Sequence, residues 1–71
     1  MKYPTKQQVE VADHETLAKW YRFLPSPGYM HAGTDAFPKM FKEESDIMGR
    51  IIDRFNDMGG MTSVISKKIG W

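Results

Sequence analysis

Apolar side chains recur at helical spacing along most of the chain. The clearest pattern runs from about residue 35 to residue 58, where the apolar positions cover roughly 140° of a helical surface. A helix of this length extends about 35 Å at 1.5 Å per residue. We therefore predict one long helix over about 35–58. Its apolar stripe consists of Phe37, Met40, Phe41, Ile47, Met48, Ile51, Ile52, Phe55 and Met58.

Residues that favour helix ends lie on both sides of this stripe. Thr34 and Asp35 are both suitable N-caps, because their side-chain oxygens can accept hydrogen bonds from free backbone N–H groups. Pro38 would lie in the first turn, where its missing N–H matters little. The adjacent Gly59 and Gly60 favour termination.

Shorter helical patterns precede and follow the long one. Thr5 with Gln8 matches a capping box, and Asp13 is a second N-cap candidate. The helix after Asp13 should end before Pro25, because proline disfavours helical geometry in the preceding residue. Thr62 is a cap for a last short helix through Ile69. The apolar positions expected to pack are Val9, Ala12, Leu17, Trp20, Tyr21, Leu24, Val64, Ile65 and Ile69.

These elements predict an all-α fold in one domain, residues 1–71: a small bundle of the long helix and two or three shorter ones. A chain of 71 residues hides only roughly 60% of its unfolded surface. It has no cysteine, so no disulfide can stabilise it. One neighbouring helix rarely covers so wide a stripe, whereas two neighbouring helices or a second copy of the chain would; we expect self-association to complete the bundle. The predicted interface residues are Phe37, Met40, Phe41, Met48, Ile51, Ile52, Phe55, Met58 and Trp71.

The segment between the two main helical patterns, FLPSPGYMHAGTDAFP, is rich in proline and glycine. It either serves only to turn the chain or also binds a ligand. Glycine allows a loop to approach a ligand closely, and a loop that leads into a helix can present N–H groups to an anion. The predicted site would hold a small anionic or nucleotide-type ligand. Its residues are Arg22, Ser26, Gly28, Tyr29, His31 and Thr34.

Two residues of the long helix depart from its pattern. Glu44 lies near the centre of the apolar stripe, where a buried carboxyl group would need a partner. The alternatives are a site residue, a partner for Lys19, Arg22 or His14, a contact between chains, or simple exposure to solvent. Gly49 lies on the opposite face of the helix. A glycine there either allows another subunit to approach closely or simply occupies an exposed position.

Residue types that support catalysis are scarce. His14 lies in the first turn of a predicted helix, where a surface position is usual, and His31 lies in the loop with no ligand partner at helical spacing. No HExxH motif or nucleophile elbow is present. Arg50 and Arg54 alternate with acidic residues, as is typical of a solvated charged face. We therefore predict no catalytic residue, no metal site and no cofactor, and a function other than enzymatic.

Charge and hydropathy narrow the partners further. The formal net charge is +1, and a nucleic-acid-binding domain usually carries a concentrated basic surface. No apolar run approaches the ~20 residues of a membrane span. The start, MKYPTKQQVEV, lacks the apolar core of a signal peptide. We expect a cytoplasmic protein that binds neither membranes nor nucleic acid.

Three segments, WYRFLPSPG, DIMGRIIDRF and MTSVISKKIGW, together resemble a group of short uncharacterised proteins from tailed-phage and prophage genomes. This resemblance spans about residues 13–71 and assigns no activity to any residue. It implies a small accessory product in the cytoplasm of an infected bacterium. Such products often act in fixed ratio on a host target, by inhibiting a defence enzyme or by sequestering a nucleotide signal.

The leading hypothesis is therefore an oligomeric binding or sequestering protein of phage type, possessing anti-defence activity against a host target. The alternatives are a protein–protein inhibitor, a virion accessory subunit or a DNA-binding regulator. The last rests on VISKKIGW, which resembles the xIAxxIGW run of helix-turn-helix motifs. The chain ends at Trp71 before a recognition helix, so we expect no DNA binding.

Overall fold

Four α-helices and a short 3-10 turn make up the regular structure of residues 2–70, the part of the chain that the computed structural model describes. The helices are α1 (Lys6–Val11), α2 (His14–Phe23), α3 (Phe37–Asp57) and α4 (Ser63–Ile69), and the turn is Tyr29–His31. No strand occurs in residues 2–70. The predicted all-α class and the one long helix are confirmed.

Side-chain caps begin the three shorter helices where the sequence predicts them. The Thr5 hydroxyl accepts a hydrogen bond from the Gln8 N–H at 3.1 Å, and the Gln8 side chain accepts one from the Thr5 N–H at 2.8 Å. Asp13 accepts from the Thr16 N–H at 2.8 Å, and Thr62 from the Ile65 N–H at 3.1 Å. Each bond satisfies a backbone donor that a helix start otherwise leaves free.

The start of α3 differs from the prediction. Neither Thr34 nor Asp35 is the N-cap: Ala36 takes that position, with no side-chain hydrogen bond. The Thr34 hydroxyl is used within the preceding turn, where it donates to the carbonyl of His31 at 2.7 Å. Pro38 lies in the first turn as expected. At the other end Gly60, with φ of +66°, donates its N–H to the Phe55 carbonyl at 2.9 Å and closes the helix.

The core lies where α1 and α2 meet the C-terminal part of α3, and α4 packs against α2. Leu17, Ile51 and Val9 are its largest completely buried side chains. Ala18 is buried too, although its small side chain lies outside the stripe from which the sequence predicts the core. The buried hydrophobic cluster comprises Val9, Leu17, Ala18, Ile51, Phe55, Ile65 and Ile69.

Arginines of α3 join α1 to the bundle. Arg50 donates two hydrogen bonds to the carboxylate of Glu10, at 2.6 and 2.8 Å. Arg54 donates to the carbonyls of Val9 and Ala12, at 2.6 and 2.9 Å, which satisfies acceptors at the end of α1. Arg50 is 46% exposed, in agreement with the predicted solvated charged face, whereas Arg54 is half-buried. Each of them ties one helix to another.

The apolar stripe of α3 is covered unevenly within the single chain. Ile51 and Phe55, both assigned to the interface from the sequence, are buried in the intrachain core. Met40, Met48 and Ile52 are half-buried, whereas Phe37, Phe41 and Met58 are 36%, 48% and 38% exposed. Trp71 lies outside the described residues. Gly49 has no atom from another element of its own chain within 4 Å of a Cβ built on it.

Candidate functional site

A hydrogen bond between the loop and α3 organises the candidate site. Gly28 is buried and donates its N–H to Oε1 of Glu44 at 2.8 Å. Glu44 is only 7% exposed, so the interpretation of this carboxyl group as solvated is wrong. Within residues 2–70 it has no ion pair with Lys19, Arg22 or His14. Its partner is instead a backbone N–H of the loop.

His14 has a different role, although it was a candidate partner for Glu44. Its Nε2 lies 2.7 Å from the carbonyl oxygen of Gly60, in the connection between α3 and α4. The imidazole also contacts the ring of Phe55, with the ring centroids 5.5 Å apart. His14 therefore links α2 to the end of α3, away from the loop.

Only glycine fits easily at position 28. Its φ of +78° lies in the left-handed region that side chains disfavour. A Cβ at this position would lie 2.9 Å from Cε2 of Phe37 and 3.2 Å from Cβ of Phe41. The loop backbone thus lies directly against the first two turns of α3, which brings its N–H within reach of Glu44.

Tyr3 holds the other side of the loop. Its hydroxyl donates a hydrogen bond to the carbonyl of Pro25 at 2.5 Å. Burial raises the pKa of the Tyr3 hydroxyl, and the nearby negative charge of Glu44 raises it further. The sequence gives no indication of this role, because Tyr3 precedes the first helix and belongs to no periodic pattern.

These contacts form the edge of a cleft of about 360 Å³. A buried carboxyl group, a phenol, an imidazole, a thioether and a lysine line this cleft. The residues are Lys2, Tyr3, Met30, His31 and Glu44. Acidic and basic groups therefore surround one concave surface between the N-terminal segment, the 3-10 turn and α3.

The residues predicted to bind a ligand do not all gather there. Gly28 and His31 lie beside Glu44 and in the cleft, whereas Tyr29 is 69% exposed. The carbonyl of Ser26 accepts the Tyr29 N–H at 3.0 Å, and the Thr34 hydroxyl bonds the His31 carbonyl as noted for α3. The Arg22 guanidinium lies 5.4 Å from the centre of the Phe23 ring and does not line the cleft.

This arrangement changes the chemistry expected of the loop. The Gly28 N–H, which the sequence offers to an anionic ligand, is already bonded to the carboxyl group of Glu44. A second anion at the same place would lie beside that group and be repelled by it. The nucleotide-binding hypothesis stays a prediction, and it would have to rely on other donors.

Exposed apolar side chains lie next to the cleft, where the loop meets the start of α3. Phe37 and Phe41 contact each other, with ring centroids 5.7 Å apart, and both lie against Gly28. Tyr29 and Met30 follow Gly28 directly and are 69% and 64% exposed. We name these four residues, Tyr29, Met30, Phe37 and Phe41, the apolar corner.

Other classes of site find less support. A second cleft of about 390 Å³ is lined by Lys6, Glu10, Asp46 and Arg50, and the Glu10–Arg50 ion pair already occupies two of its charged groups. No group of three or more His, Asp or Glu side chains between residues 2 and 70 is arranged to hold a metal ion. Over the same residues, no helix is both long and apolar enough to cross a membrane.

Comparison with known proteins adds no relative. No protein family, no curated protein and no solved structure shows significant similarity to this chain. The resemblance to short phage and prophage products therefore stays a prediction, and the functional proposal depends on the chain's own geometry.

Proposed function

We propose that this chain is a non-enzymatic binding protein that associates with a second copy of itself through the apolar corner. The main support is that the two ends of α3 are buried to different extents within the single chain. The C-terminal part of α3 packs against α1 and α2, while Phe37 and Phe41 contact the loop and are still 36% and 48% exposed.

The size of the chain supports a second copy as the partner. The buried core consists of seven hydrophobic side chains, three of them completely buried and larger than alanine. A small core of this kind leaves little free energy of folding to spare, and small chains commonly gain the remainder by association. Two copies related by a two-fold axis can bury the same aromatic patch on each partner.

The residue types at the apolar corner also match those of protein interfaces. Aromatic and methionine side chains are enriched at the centres of interfaces, while lysine and glutamate are depleted there. The corner contains only aromatic residues and one methionine. A methionine beside rigid aromatic rings adapts to the shape of a partner.

The phage resemblance extends the proposal to a setting in the host cytoplasm. There the oligomer would act in fixed ratio on a host target, either by binding a protein or by sequestering a nucleotide-type signal. The protein-binding form is favoured by the strong exposure of Tyr29 and Met30, and the nucleotide form would need donors other than the Gly28 N–H.

Native mass spectrometry of the protein purified from bacterial cells tests this proposal. We expect a homo-oligomer with a mass that is a multiple of 8.2 kDa. A monomer at every concentration would overturn self-association. A nucleotide retained by the oligomer would favour the function of sequestering a nucleotide-type signal. A complex with one host protein in fixed ratio, without a homo-oligomer, would overturn self-association and favour the protein–protein inhibitor.

A further inference from the structure

The carboxyl group of Glu44 is only partly satisfied by its own chain. Oε1 accepts the Gly28 N–H, whereas no donor of residues 2–70 reaches Oε2; because no completely buried side-chain oxygen in these residues lacks a partner, Oε2 is still open to solvent. In the same part of the chain, no lysine, arginine or histidine nitrogen lies within 4.0 Å of the carboxyl group. Glu44 nevertheless lines the cleft, although it is only 7% exposed.

A buried carboxylate with unused acceptor capacity favours a cationic partner. A carboxylate offers about four lone-pair sites, and only one of them is used here by a described donor. Burial of a charge is costly unless an opposite charge or several donors compensate it. A primary ammonium group has three N–H donors and a positive charge, so it meets both requirements.

The rest of the cleft fits the remainder of a small amine. Met30 and the ring of Tyr3 offer apolar surface, and the Tyr3 hydroxyl is engaged with the Pro25 carbonyl. Lys2 lies along the cleft but forms no ion pair with Glu44. The volume of about 360 Å³ lies within the range of roughly 300–1,000 Å³ that small-ligand sites occupy.

We propose that this cleft binds the ammonium group of a small aliphatic amine, with Glu44 as the residue that pairs with it. The ammonium group donates to Oε2, and the aliphatic chain lies against Met30 and Tyr3. Glu44 keeps its bond to the Gly28 N–H throughout. One chain provides all of the lining, and Met30 belongs both to this cleft and to the apolar corner.

Titration of the wild-type protein with two matched probes tests the charge requirement. n-Butylamine carries the ammonium group, and n-butanol has the same chain with a hydroxyl in its place. In amide-resolved NMR at neutral pH, we expect n-butylamine to shift the Gly28 and His31 signals in a saturable way at millimolar concentration. We expect n-butanol to leave them unchanged. Equal shifts with both probes, or no saturable shift with the amine, would overturn the proposal.

Two variants then assign the binding to one carboxyl group. Glu44→Gln keeps an oxygen that accepts the Gly28 N–H but removes the charge, and Glu43→Gln removes a charge from the exposed neighbouring position. We expect Glu44→Gln to weaken n-butylamine binding by about tenfold or more, as loss of a charge-assisted bond requires, and Glu43→Gln to leave it unchanged. Unchanged affinity in Glu44→Gln would overturn the assignment. The wild-type comparison of the two probes remains decisive if this variant does not fold.

Discussion

The N–H of Gly28 lies 2.8 Å from Oε1 of Glu44, so one buried carboxyl group in the middle of a helix holds the loop that precedes that helix. The two residues are 16 positions apart, and each has a feature that is unfavourable in isolation. Gly28 has a left-handed backbone, and Glu44 places a carboxyl group in an apolar stripe. Together they fix the geometry of both the cleft and the apolar corner.

Removal of the Glu44 side chain should destabilise the fold. Glu44→Ala leaves the buried Gly28 N–H without its acceptor, and an unsatisfied buried donor costs about 1–3 kcal/mol. Glu44→Gln retains an acceptor oxygen and should lose less. Urea unfolding followed by circular dichroism measures both, with the exposed Glu43→Ala as the control. Equal free energies of unfolding for Glu44→Ala and Glu43→Ala would show that the bond contributes nothing.

Two glycine substitutions separate backbone strain from crowding. Gly33, with φ of +79°, has no atom within 4 Å of a built Cβ, whereas Gly28 faces Phe37 and Phe41. Alanine at position 33 should therefore cost only the left-handed conformation, roughly 1–2 kcal/mol. Alanine at position 28 should cost more, because Cβ of Phe41 is fixed on α3 and cannot move aside as the Phe37 ring can. If both variants lose a comparable amount of unfolding free energy, in thermal or urea unfolding, the close approach of the loop backbone to α3 at position 28 is contradicted.

High pH should weaken the contribution of the Tyr3 hydroxyl to the stability of the fold. Because the pKa of Tyr3 is raised in the folded state, its stabilising effect is complete below the usual value of 10.0. Above that pH the unfolded chain releases the phenolic proton while the folded chain retains it, so stability falls. Tyr3→Phe lacks this proton. The difference in unfolding free energy between wild type and Tyr3→Phe should narrow as the pH rises above 10.0. A constant difference would contradict the raised pKa of Tyr3 in the folded state.

Low pH should weaken the bond between α1 and α3. The hydrogen bond from Arg50, helped by its positive charge, holds the pKa of Glu10 below its usual value of 4.5. The contribution of Glu10 is therefore present above pH 4.5 and is lost as the pH falls through its lower folded value. In thermal unfolding, the difference between wild type and Glu10→Gln should disappear in acid. A difference that persists there would exclude the ion pair as its source.

The helices were predictable because their determinants are local. Thr5 with Gln8, Asp13 and Thr62 each act within three residues of their own position, so the sequence alone locates those helix starts. The start of α3 was not predictable, because the Thr34 hydroxyl donates a hydrogen bond to the His31 carbonyl and does not cap the helix. Which hydroxyl caps a helix depends on how the preceding turn folds.

The site was only partly predictable, because its contacts join distant residues. The spacing of α3 identified Glu44 as unusual, but only the fold shows that its partner is the Gly28 N–H. The position of Tyr3 against Pro25 joins residues 22 apart and leaves no pattern in the sequence. The contacts of Arg50 and Arg54 with α1 likewise leave no pattern in the sequence, because their partners lie 40 to 45 residues earlier in the chain.

A dilution series in size-exclusion chromatography with light scattering tests self-association most directly. Phe41→Ser alters the apolar corner, and Val11→Ser is the matched control, because Val11 is 79% exposed on α1. We predict that wild type and Val11→Ser have masses of at least twice 8.2 kDa at high concentration, and that Phe41→Ser remains monomeric while keeping its helical circular dichroism. A wild-type mass of 8.2 kDa at every concentration would contradict the proposal.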